Sequence, residues 1–152
     1  MEQNPYNLPQ IIDRFALMLM VVGLLIPAFY YAELPPEIPI HFNWKGLPDW
    51  YAPKMWVWLL PVLGVIMYTM LGRINYVDSR ETGRKAAELR VLQQMMRWIR
   101  LFVMASFLYL TWGIIQTAMG HWEGLGTYFV PVFMLALFGL IAYYFGKIKS
   151  VK

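Results

Sequence analysis

The residues with the most capacity for chemistry are two histidines, His41 and His121, and the carboxylates Glu33, Glu37, Asp49 and Glu123. Imidazole and carboxylate groups together can bind zinc or a similar cation. His41 and Asp49 form one candidate metal pair, and His121 and Glu123 are further candidate ligands. No H-E-x-x-H spacing supports such a site. The alternatives are a hydrogen-bonded loop in which His41, Asn43 and Asp49 hold a turn together, and direct contact with a peptide or lipid ligand. Hydrolase chemistry finds less support: the chain has no G-x-S-x-G, no phosphate-cradling glycine motif and no cysteine. No catalytic residue is assigned, and no cofactor is expected.

His41 and Asp49 belong to one segment, Glu33 to Lys54. Pro35, Pro36, Pro39, Pro48 and Pro53 exclude a regular helix through most of it. Ile38, Ile40, Phe42 and Trp44 alternate with Pro39, His41, Asn43 and Lys45, a period of two that predicts an extended stretch. One face would rest on the membrane or on helix ends, and the other would present His41 and Asn43. Asn43 to Gly46 reads as a turn, with Asn first and Gly last. The chain would then return and bring Asp49 towards His41.

The elements that must position this loop are hydrophobic helices. The 152 residues are 59% hydrophobic and 14% charged, whereas soluble domains carry about 45–50% apolar and about 25% charged residues. Spanning the roughly 30 Å hydrocarbon core takes about 20 mostly apolar residues. Stretches at about Phe15–Ala32, Met55–Ile74, Ile99–Met119 and Leu125–Gly146 qualify. The first is expected to be retained, since it is long for a signal peptide and ends in bulky Tyr30 and Tyr31. Arg100, at a span end, is expected to snorkel. Pro27, Pro61 and Pro131 fall in the same leaflet, where kinks would open a cavity under the loop.

Loops rich in Lys and Arg stay in the cytoplasm. Arg73, Arg80, Arg84, Lys85, Arg90, Arg97 and Arg100 cluster between spans two and three, and Lys147, Lys149 and Lys152 follow span four. This distribution predicts an all-α integral membrane protein: a four-helix transmembrane bundle, N-in/C-in, with a structured proline-rich outer loop between helices 1 and 2. Residues 1–152 form a single membrane domain. Within it, 1–75 are a motif-bearing helix-loop-helix, 76–98 a cytoplasmic helical extension and 99–152 a C-terminal helix pair. Asp78 and Glu81 resemble a capping box for the extension. Its stripe of Leu89, Leu92, Met96 and Ile99 would pack on the bundle, with its cations near anionic headgroups, or would dock a cytoplasmic regulator. Nucleic acid is not needed to explain the cations.

The loop pattern Leu34-Pro35-x-x-Ile38-Pro39-x-His41-Phe42-Asn43-x-x-Gly46-x-Pro48-Asp49-x-Tyr51 resembles the signature of the SdpI-like family, bacterial proteins carrying domain of unknown function 1648. The likeness extends over roughly residues 15 to 75. It implies the bacterial cytoplasmic membrane and an outward place for the motif. It also implies a role like that of the named member, which gives immunity against a secreted killing peptide and holds a transcriptional repressor at the membrane. His41, Asn43, Gly46, Pro48, Asp49 and Tyr51 are thereby the motif residues expected to meet a ligand. The expected function is non-enzymatic: sensing of, or immunity to, an extracellular peptide or envelope stress. The alternatives are an accessory subunit packed on a membrane protein partner such as a transporter, and an outward-facing metal-binding or envelope enzyme using His41 and Asp49.

Overall fold

The computed structural model describes residues 8–73 and 83–150. Helix α1 runs over Leu8–Tyr30 and is followed by two short strands, β1 (Glu37–Phe42) and β2 (Pro48–Pro53). A 3-10 turn at Lys54–Trp58 leads into α2 (Leu59–Arg73). Helices α3 (Gly83–Ala118) and α4 (Phe129–Ser150) complete the chain. Among the described residues, four helical segments are long and apolar enough to cross a membrane. At 1.5 Å per residue, the 23 residues of α1 span about 34 Å, enough for the hydrocarbon core.

Helix α3 is the centre of the bundle and packs against α1, α2 and α4. Its 36 residues form one unbroken helix, so the expected extension and the third span are a single element. The end of α3 near Val91 does not stand free. Val91 and Met95 form a core with Tyr144 of α4, supported by Leu92, Met96, Ile99, Leu140 and Ile148. The expected capping box at Asp78 and Glu81 lies outside the described residues.

Two of the three membrane prolines do not lie where a kink is expected. Pro61 and Pro131 each occupy the third residue of their helix, α2 and α4. Amides of a first α-helical turn have no partner within that α-helix, so proline there costs it no hydrogen bond and gives no reason for a kink. Pro27 alone of the three lies inside a helix.

Arg100 also departs from expectation. It is buried in the bundle, 5% exposed, instead of reaching for the interface. Its guanidinium donates to Asp13 of α1, stacks over the Tyr68 ring of α2 at 4.8 Å, and lies so close to Gly72 that a Cβ there would sit 3.1 Å from it. Arg97 approaches the other Asp13 oxygen at 3.4 Å. One arginine thus ties α3 to α1 and α2 near the end of the bundle opposite the strands. Asp13 escapes a hydropathy reading because α1 begins well before the apolar stretch at Phe15.

Candidate functional site

The segment between α1 and α2 is an antiparallel hairpin laid across the end of the bundle. Five prolines leave it few backbone donors, so its stability rests on side chains. Ile38, fully buried, joins Leu34, Val57, Ile114 and Ile115 in a core that also contacts Tyr30, Tyr31, Ile40 and Phe42. Lys54 fastens the base. Its ammonium donates to the Tyr31 carbonyl at 3.1 Å and lies over the Tyr31 ring at 4.8 Å.

The turn follows the predicted chemistry. The Gly46 amide donates to the Asn43 carbonyl at 2.8 Å. The Asn43 side-chain oxygen accepts from the amides of Lys45 and Leu47 at 2.8 and 3.2 Å. Gly46 takes φ +76°, a conformation that residues bearing a Cβ rarely adopt. The alternation is imperfect: Pro39, expected on the opposite face, is buried beside Ile38, and the pattern ends at the turn. Ile38, Ile40 and Phe42 face the core, but Trp44 is 76% exposed. Register shifts around Ile40 and Asp49 bulge both strands, and bulges redirect side chains.

His41 and Asp49 meet across these bulges, Nδ1 to Oδ1, at 2.5 Å. A carboxylate can only accept, so Nδ1 carries the hydrogen and Nε2 is left for another partner. Both side chains are open to solvent, 64% and 41% exposed. Pro48 opens β2 opposite Phe42, and Tyr51 lies opposite Pro39, half-exposed. His121 does not join this pair: its Nδ1 lies 3.0 Å from the Gln116 side-chain oxygen. Among the described residues, no three His, Cys, Asp or Glu side chains gather where a metal ion could be held. Glu123 therefore completes no ligand set with His41 and Asp49.

A second loop, between α3 and α4, clasps the hairpin tip. The Leu125 amide donates to the Gly46 carbonyl at 2.8 Å, and the Thr127 hydroxyl donates to the Lys45 carbonyl at 3.3 Å. The contact is so close that a Cβ on Gly124 would lie 2.0 Å from the Gly46 oxygen. Tyr109 of α3 holds this loop from below through a 2.9 Å hydrogen bond to the Leu125 carbonyl. Sequence reasoning had no account of this clasp. Its one signal was the pair Gly124 and Gly126 near the start of α4.

Below the clasp lies an apolar cavity of about 280 Å³. Leu59 and Leu60 of α2, Leu110 and Ile114 of α3, and Phe129 and Val130 of α4 form its walls. His41, Asn43 and Gly46 form its polar rim. Trp56, Leu59 and Val130, each more than 40% exposed, line its mouth. Ligand pockets begin at about 300 Å³, so this one suits a single large apolar side chain or an acyl segment. Of the six motif residues, three reach the cavity, while Pro48, Asp49 and Tyr51 stand outside it.

The fold and this site define a multi-pass helical membrane protein with a hairpin-capped apolar pocket at one end. Residues 18–65, from α1 through the hairpin into α2, match the family described as Domain of unknown function (DUF1648). No curated protein and no solved structure matches the chain.

Proposed function

We propose that this is a non-enzymatic protein of the bacterial cytoplasmic membrane, SdpI-like in type, with both termini in the cytoplasm. Its hairpin faces outward and captures a secreted amphipathic peptide, giving immunity to that peptide or sensing it. The observation that carries this reading is the apolar cavity rimmed by His41 and Asn43. A hydrophobic anchor of the peptide would enter the cavity, where burying one large apolar side chain contributes about 1.5–3 kcal/mol. The His41 Nε2 and the exposed aromatics Trp44, Trp50 and Tyr51 would meet the rest of the peptide at the interface. The dense cations around α3 and after α4 support the orientation through the positive-inside bias.

The test is genetic. Deleting the gene should sensitise cells to at least one member of a panel of secreted killing peptides, and a His41→Ala copy should fail to restore resistance. Unchanged sensitivity of the deletion strain across the panel would contradict immunity.

A further inference from the structure

A groove of about 330 Å³ lies at the opposite end of the bundle, between α1, α3 and α4. Ile12, Gln94, Arg97, Trp98, Tyr144 and Lys147 line it. We propose that it binds the phosphate of an anionic bilayer phospholipid. This inference does not depend on what the hairpin binds.

Charge is the first argument. Arg97 and Lys147 both face the groove, and among the described residues no carboxylate lines it. Asp13, on the first turns of α1, already accepts from Arg100. It lies 3.4 Å from Arg97, whose buried Nε makes no hydrogen bond. Among the described residues, Lys147 has neutral partners, the Gln94 side-chain oxygen at 3.2 Å and the Tyr144 ring at 5.9 Å. Among the described residues, Arg97 and Arg100 thus share the one Asp13 carboxylate, and the contacts of Lys147 are with neutral groups. A phosphodiester carries one negative charge and oxygens that accept from both guanidinium and ammonium groups.

Surroundings decide between a lipid and a soluble phosphate. Ile12 and Trp98 give the groove an apolar wall, and Trp98 is 37% exposed, as suits an indole at headgroup depth. The groove also lies where α1 and α4, both membrane-spanning in length and composition, reach one end of the bundle. A glycerophospholipid fits both features at once, with its phosphate between Arg97 and Lys147 and its chains along the helices.

Trp98 makes the site readable. The full chain is placed in nanodiscs of phosphatidylcholine containing a minor fraction of acyl-brominated phosphatidylglycerol or, separately, acyl-brominated phosphatidylcholine. Brominated phosphatidylglycerol should quench tryptophan emission more strongly, and Trp98→Phe should abolish that excess. Arg97→Gln and Lys147→Gln should each weaken the selective component about fivefold, the weight of ~1 kcal/mol per cation near an anionic surface, whereas Lys147→Arg should retain it. Lys147 is exposed, so Lys147→Gln should melt with the wild type, which separates loss of binding from loss of fold. Equal quenching by the two lipids overturns the proposal, as does an excess that survives both charge-removing substitutions. Displacement of the excess by added glycerol phosphate would assign the groove to a soluble phosphate and overturn the lipid.

Discussion

The two ends of the bundle solve the same problem with opposite means. At the hairpin end, the polar side-chain contact is between His41 and Asp49, eight residues apart and exposed. At the other end, an ion pair joins Asp13 to Arg100, eighty-seven residues apart, with the arginine buried. The first contact is a local tie in high dielectric, where exposed pairs are worth about 0–1 kcal/mol. The second links helices where an unpaired charge is expensive. Of the two pairs, the buried one should therefore weigh more in stability than the exposed one of the hairpin.

The largest effect should come from splitting the buried pair. Asp13→Leu leaves Arg100 uncompensated and should cost on the order of 3–5 kcal/mol, read as a lower melting temperature in detergent. Asp13→Leu combined with Arg100→Met should recover most of that loss. A double variant as unstable as the sum of the singles would show that the two residues are not coupled.

Next is the clasp. Gly124→Ala places a methyl group against the Gly46 carbonyl and should cost about 1–3 kcal/mol, as overpacking does. Limited proteolysis should then cut the hairpin sooner. If cleavage is unchanged, the second loop does not hold the hairpin tip.

Asn43→Ala removes the acceptor for two turn amides and should cost about 1 kcal/mol, with earlier cleavage near Gly46. The smallest stability change should follow Asp49→Asn, below about 0.5 kcal/mol because the pair is exposed. A melting temperature that falls as far as in Asp13→Leu would erase the contrast between the ends.

The same contrast explains what the sequence could reveal. Hydropathy located the helices because lipid demands long apolar runs. Asn43 and Gly46 announced the turn, and His41 met Asp49, because those contacts close within a few residues. Asp13 with Arg100, and Gly124 with Gly46, depend on how distant helices and loops pack, which no local spacing records. Pro61 and Pro131 misled for a related reason. Their effect depends on where each helix begins, and hydropathy places helix ends poorly.

Orientation has a direct check. The chain lacks cysteine, so single cysteines report without background. Trp44→Cys should react with a membrane-impermeant maleimide in intact cells, and Lys149→Cys only after permeabilisation. The reverse pattern would invert the bundle and place the hairpin inside.

The central claim is that the cavity beneath the hairpin receives the ligand. Cavity-filling Val130→Trp should be compared with Leu135→Trp, which adds the same bulk on an exposed face of α4. Both are expressed at equal abundance in the deletion strain, and survival is measured against a killing peptide to which that strain is sensitive. The account expects Leu135→Trp to protect as the wild type does and Val130→Trp to lose protection. Full protection by Val130→Trp would contradict it.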